Sequence, residues 1–103
     1  MNSFTKTSDI LAWRTIQNCK RNHIVARGGE SKEHFLAKCE ECWNLHNDKK
    51  TFYTEAEFKN GSGRADIYCI EDEEAIEIMV WEKQESLDRK RKEYPVPVRA
   101  IHV

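Results

Sequence analysis

The sequence predicts one α/β domain of the α+β kind, spanning residues 1–103, with a central β-sheet flanked by helices. Three observations predict it. The runs TFYTEAEF, RADIYCI and AIEIMV are rich in β-branched and aromatic residues and are separated by polar or glycine-containing turns. Apolar residues at helical spacing precede these runs, and a shorter helical stretch follows them. A chain of 103 residues without an internal repeat or linker-like segment has room for a single core. The predicted order is helix, helix, strand, strand, strand, helix, strand.

The first helix is expected from a cap at Ser8, with Asp9 in its first turn and Ile10, Leu11, Trp13, Ile16 and Cys19 along one side, ending near Arg21–Asn22. His23 to Arg27 reads as a short strand or an extended connection, and Gly28-Gly29 breaks the chain. Ser31 then caps the main helix, which runs to about Asn47. Phe35, Leu36, Cys39, Cys42, Trp43 and His46 recur at threes and fours and form its expected inward stripe. Glu33 lies at the edge of that stripe. It either reaches inward over the sheet or only favours the helix dipole.

After the polar turn Asn47–Lys50, the run from Thr51 to Phe58 alternates, with Phe52, Thr54, Ala56 and Phe58 against Tyr53, Glu55 and Glu57. The loop Lys59–Gly63 leads into a strand from Arg64 that carries Asp66, and the acidic tip Glu71–Glu74 leads into a third strand that carries Glu77. Ile76, Ile78 and Val80 make one apolar face of that third strand, and Glu77 lies between apolar neighbours on the other. Antiparallel pairing brings Asp66 and Glu77 together. Two convergent carboxylates repel unless a proton or a cation lies between them, and hard oxygen ligands suit Mg2+ or Mn2+. Glu55 and Glu57 are expected beside this site, as extra ligands or paired across the strands with Arg64. A helix from Ser86 to Tyr94 follows, stopped by Pro95, and Val96–Val103 makes the last strand.

With 34% charged residues, 39% hydrophobic residues and a formal net charge of -1, the chain reads as folded and without a global basic field. Lys20-Arg21 and Lys90-Arg91-Lys92 are the pieces of a local one. No stretch is long and apolar enough to span a membrane, and MNSFTKTSDI lacks the apolar core of a secretory signal, so a cytoplasmic location and no membrane partner are expected. The four cysteines, Cys19, Cys39, Cys42 and Cys69, are then expected as free thiols. Cys39, Cys42 and His46 share a broad helix face, which leaves a zinc site or simple burial of small side chains as the alternatives.

GRADIYCI with Asp66, AIEIMV with Glu77 and the helix GESKEHFLAKCEECW resemble the PD-(D/E)XK nuclease superfamily. The pattern Glu30-Ser31-x-x-His34-x-x-x-Lys38 is similar to the opening helix of its competence-associated and archaeal or viral members. The closing segment ESLDRKRKEYPVPVRAIHV resembles their final helix and strand, so the resemblance covers most of the chain from Gly29 onward. It implies a restriction-endonuclease-like core with a central mixed sheet. It also implies a metal site of Asp66, Glu77 and Glu33 holding Mg2+ or Mn2+, and hydrolysis of phosphodiester bonds in DNA, including repair or junction intermediates. A homodimer is a further expectation, since one small domain offers limited contact area to DNA.

The sequence departs from the family at the lysine that follows two residues after the acidic one, where Met79 stands. A thioether carries no charge and donates no hydrogen bond. Lys83 is too far along the strand, whereas Lys90 on the following helix, one turn before Tyr94, is placed to project back to the site with it. Catalytic roles are therefore expected for Glu33, Asp66, Glu77 and Lys90. Two alternatives stand beside an Mg2+-dependent deoxyribonuclease: a nuclease-fold module that binds nucleic acid without turnover, and a zinc-stabilised regulatory domain built on Cys39, Cys42 and His46.

Overall fold

The structure, a computed structural model, describes residues 12–103. Its strands are β1 (Ile16–Gln17), β2 (Phe52–Phe58), β3 (Arg64–Cys69), β4 (Glu74–Met79) and β5 (Val98–His102), and its helices are α1 (Lys32–Asn47) and α2 (Gln84–Glu93). They form an α+β domain with a five-stranded mixed sheet in the order β1-β2-β3-β4-β5. The first four strands pair antiparallel, β1 with β2 across the segment that holds α1 and β2–β3–β4 through hairpins, and β5 pairs parallel with β4. The parallel step needs a crossover, which α2 supplies.

The sheet has a core on each face. Cys42 and Leu45 of α1 pack on Phe52, Ile67, Cys69 and Ile76, with Ile101 partly buried beside them. On the other face Ala12, Ile16 and Tyr94 pack on Tyr53, Ala56, Phe58, Ala65, Tyr68 and Ala75. Phe58 and Tyr94 pack with their rings tilted at 53° and their centroids 4.5 Å apart. Tyr94 also comes so close to the β2–β3 loop that a Cβ on Gly63, whose φ is +145°, would lie 3.1 Å from its ring.

Three sequence expectations are corrected. The helix expected from Ser8 to Arg21–Asn22 begins outside the described residues, and within them it does not persist. Ile16 and Gln17 are a short edge strand pairing with Phe58 and Glu57. Asn18 follows at φ 58° and Asn22 at φ 57°, values that asparagine tolerates and a helix does not. Ile16 is nonetheless fully buried, so the apolar spacing marked the right residue and the wrong element.

The second correction concerns β2. Phe52 packs on the α1 side, but Tyr53, Ala56 and Phe58 all pack on the other. Strict alternation cannot put residues 53 and 56 on one face. The break is at Glu55, whose φ of +50° turns the chain over midway along the strand. β3 breaks beside it, since Ala65 and Tyr68 belong to one face and Ile67 and Cys69 to the other.

The third concerns α1. Ser31 caps it as expected, its Oγ accepting from the His34 amide at 3.1 Å. The buried face, however, is His34, Lys38, Glu41, Cys42 and Leu45, whereas Leu36 and Trp43 are exposed. The helix is rotated from the orientation its apolar residues suggest, and it points a polar stripe at the sheet.

Candidate active site

The two strand breaks and the polar stripe of α1 meet at one place. Extending the register of Ile67 with Ile76 puts Asp66 opposite Glu77, and the Thr54–Ile67 and Ala56–Ala65 pairs put Glu55 opposite Asp66. Three carboxylates therefore occupy one row across β2, β3 and β4. All three residues are buried. A buried charge is tolerated only when paired and hydrogen-bonded, and the neighbouring elements supply the partners.

Backbone amides provide the first set. The Asp66 N–H donates to Glu77 Oε2 at 2.8 Å, and the Ile78 N–H donates to Asp66 Oδ2 at 2.8 Å. Side chains of α1 provide the second. His34 Nε2 lies 3.1 Å from Asp66 Oδ2, and its Nδ1 is against Glu30, just ahead of the helix. Lys38, fully buried, donates to Val25 O at 2.6 Å and to Glu30 at 3.0 Å, and lies 3.5 Å from Glu55 Oε2. Glu30 is held below its ordinary pKa: burial raises it, but the Arg27 amide, Lys38 and His34 together outweigh that.

Helix α2 closes the other side. Lys90 Nζ is 2.9 Å from Glu77 Oε1 and 3.0 Å from Glu82, and the Tyr94 hydroxyl donates to Glu77 Oε1 at 3.3 Å. Burial acts against the ammonium of Lys90, but Glu77 and Glu82 outweigh it and hold the pKa above its ordinary value. Glu77 moves the other way for an acid. Burial and the neighbouring charge of Asp66 push its pKa up to about 7, against the opposing pull of the Asp66 amide and Lys90. Two arginines stand at the mouth: Arg27 is 3.7 Å from Asp66 Oδ1, and Arg64 is 3.5 Å from Glu55 Oε1.

The structure thus brings together Asp66, Glu77 and Lys90 as the sequence predicted, with Tyr94 beside Lys90. Glu33 is not among them, because it is exposed on the first turn of α1. The acid that reaches the cluster from this end of the helix is Glu30, three residues earlier. Lys83 is exposed at the start of α2, and Met79 is buried. Glu57 lies apart, bonded to Gln17 and Asn18 at 2.9 and 2.8 Å.

Glu30, His34 and Lys38 received no role of their own in the sequence reading. Their signal was the i, i+4, i+8 spacing of an acid, an imidazole and an amine, which puts three ionisable groups on one helix face. Glu55 was legible only as a neighbour of the site. The positive φ that turns it inward leaves no mark in residue type.

Among the described residues, no group of three or more His, Cys, Asp or Glu side chains is arranged as a metal cage. That holds for Cys39, Cys42 and His46 as well. Cys42 is buried in the core under α1, where desolvation pushes its thiol up to about 12, and all four cysteines are free. The carboxylate row nevertheless fits a hard cation in its donor chemistry. Glu55 Oε1 is buried without a hydrogen-bond partner, and the pKa of Glu77 is raised by burial and by the neighbouring charge of Asp66. No helix among the described residues is long and apolar enough to cross a membrane. Compared with protein-family models, curated proteins and solved structures, the chain matches none of them.

Proposed function

We propose that this chain is a metal-dependent nuclease with a restriction-endonuclease-like core, hydrolysing phosphodiester bonds in DNA. The observation that carries the reading is the carboxylate row Glu55–Asp66–Glu77 with Lys90 delivered to Glu77 from the following helix. Asp66, Glu77 and Glu55 are the residues that would hold Mg2+ or Mn2+. When bound, such an ion polarises a phosphate oxygen and lowers the pKa of an attacking water.

The protein's own groups do the rest. Lys90 and Tyr94 fix the Glu77 carboxylate, and Lys90 supplies the cation missing at Met79, close enough to offset charge developing on a phosphate. His34 orients Asp66 from behind, anchored by Glu30. Arg27 and Arg64, beside Asp66 and Glu55, are the guanidiniums that would meet an incoming phosphate diester. A two-fold dimer extends the contact area and allows two strands to be cut.

A second reading is a nuclease-fold module that binds nucleic acid without cutting it. What favours it is Met79 together with the internal pairing of the acids, since Lys38 and Lys90 already offset much of their charge.

Titration with Mg2+ or Mn2+ of wild type and Asp66→Asn against labelled single-stranded, duplex and branched DNA tests the proposal. Cleavage by the wild type that is lost in Asp66→Asn supports it. Binding without cleavage at every metal concentration gives the second reading. Equal cleavage by both proteins rules out the site.

A further inference from the structure

Two clefts lie beside the cluster, one reaching Glu55 and the other His34, and Arg27 lines both. The larger, of about 900 Å³, is bordered by Lys20, His23, Arg27 and Arg64 and reaches down to Thr54 and Glu55. The smaller, of about 290 Å³, lies between Trp81, Glu82, Ser31 and His34. The segment from Ala26 to Gly29 separates them, and Arg27 on that segment contacts Asp66. A chain crossing from one cleft to the other therefore passes Arg27, whose guanidinium lies 3.7 Å from Asp66.

Their chemistry differs in a way that suits one kind of ligand. The large cleft offers cationic or proton-donating side chains along its wall, which match the repeating charge of a phosphate backbone. The small cleft offers an aromatic face. Trp81 is 87% exposed, only four residues beyond Glu77 on the same chain. An indole left in water beside a buried ionic cluster contributes nothing to the core, and the cost of exposing it is offset when a flat apolar partner covers it. The acid in this cleft, Glu82, does not repel an anion at full strength because Lys90 lies 3.0 Å from it. The N-terminal end of α1 at Ser31 adds its positive dipole to the same wall.

We infer that the two clefts form the path of a single polynucleotide strand, with its phosphates along Lys20, Arg64 and Arg27 and an unpaired base stacked on Trp81. In a duplex each base is already stacked between neighbours, so an exposed indole selects a strand whose base is free to leave the stack. This rests on the nuclease reading and names its substrate: single-stranded DNA, or a single-stranded end next to a duplex.

The test measures cleavage and binding separately. Mg2+-dependent cleavage of a labelled single strand and of the same sequence as a duplex gives kcat and KM. Fluorescence anisotropy in EDTA gives binding without turnover. Trp81→Ala is expected to raise KM for the single strand about tenfold or more with kcat little changed, and to weaken binding by a similar factor. Trp81→Phe retains most of the affinity because it retains the ring. Trp43→Ala, which removes an exposed indole from the outer side of α1, changes neither. Lys20→Glu lowers affinity and flattens its salt dependence.

Unchanged KM and affinity in Trp81→Ala overturn the strand path while leaving the nuclease reading in place. So does a preference for duplex over single strand. Trp81-dependent binding of the single strand by a wild type that cleaves nothing leaves the path standing and removes the nuclease. A wild type that neither binds nor cleaves single strand or duplex removes both.

Discussion

Asp66 and Glu77 hold each other through the backbone: the Asp66 amide donates to the Glu77 carboxylate, and the Asp66 carboxylate accepts from the amide of Ile78, both at 2.8 Å. The β3–β4 ladder runs as far as Ile67 with Ile76. Beyond it the two carboxylates accept from backbone amides across the seam, where a regular ladder does not continue. The arrangement fixes two like charges side by side in a buried place, and the resulting repulsion must show in how the protein responds to pH and to cations.

Glu77 carries that response. Its folded pKa of about 7 stands above the ordinary 4.5, so the folded state holds a proton that the unfolded state releases. The stability from this group is fully present below about pH 4.5 and is lost as pH rises through about 7. Glu77→Gln keeps the neutral form at every pH. In EDTA, the melting temperature of wild type relative to Glu77→Gln should fall between these limits by roughly 10 °C, corresponding to on the order of 2–3 kcal/mol. Added Mg2+ should restore part of the wild-type stability at pH 8. A difference that does not change with pH contradicts the assignment of the buried proton.

Lys38 should be the most sensitive position of α1. Its ammonium is fully buried and serves Glu30, Glu55 and the Val25 carbonyl together. Lys38→Met fits the space but strands two buried acids, and losing one partner of a buried pair costs about 3–5 kcal/mol. Urea unfolding of the variant at neutral pH should show this loss as a lower midpoint with the slope unchanged. A loss below about 1 kcal/mol would place Lys38 in solvent.

The same helix shows why part of the fold was legible in the sequence and part was not. The boundaries of α1, the hairpins through β4 and the crossover helix follow from Ser31, Gly61, Gly63, Pro95 and the β-branched runs, because those signals act locally. The orientation of α1 did not follow, because the usual signal assumes that the apolar stripe faces inward. Here the inward face carries His34, Lys38 and Glu41, with Glu41 paired to Arg99 at 2.6 Å. Their burial depends on partners in distant strands that no local pattern reveals. Asp66 and Glu77 were legible because an acid in an apolar strand is costly and conspicuous. Glu30 and Glu33 were not distinguishable, since both lie near the helix start and only the three-dimensional position of His34 separates them.

The rotated helix has its own consequence. Leu36 and Trp43, predicted as core, are 53% and 63% exposed. Leu36→Gln and Trp43→Gln should each change unfolding free energy by no more than about 0.5 kcal/mol, the range of ordinary surface substitutions. Leu45→Ala, on the buried face, should cost about 2–5 kcal/mol. Thermal or urea denaturation of the three variants decides it, and a large loss in the first two would restore the apolar-inward orientation.

Gly63 is tied to the site through Tyr94. Its φ of +145° is one that other residues rarely adopt, and an added Cβ would lie 3.1 and 3.2 Å from the ring and hydroxyl of Tyr94. That ring is fixed by Phe58 and by its hydroxyl, whose one hydrogen is shared between Arg64 O and Glu77. Gly63→Ala should therefore destabilise the fold by about 1–3 kcal/mol. It should also reduce cleavage in protein that is still folded, because the displaced hydroxyl no longer holds Glu77. Normal activity per folded molecule would show that Tyr94 serves packing alone.

Lys90 is the residue on which the departure at Met79 turns. It is partly buried and 2.9 Å from Glu77, whereas Lys83 is exposed at the helix start. If Lys90 supplies the charge that the strand lacks, Lys90→Ala should lower kcat for Mg2+-dependent cleavage at least a hundredfold, the size of loss typical when a positioned charge-stabilising donor is removed. Lys83→Ala should change kcat less than twofold. Lys90→Arg retains the charge but not the compact ammonium, and should recover part of the loss. The reverse substitution makes the case complete: Met79→Lys in the Lys90→Ala background places an amine two residues beyond Glu77. Recovery of kcat there would show that the two positions serve one role, and equal kcat for Lys90→Ala and Lys83→Ala would remove Lys90 from the chemistry.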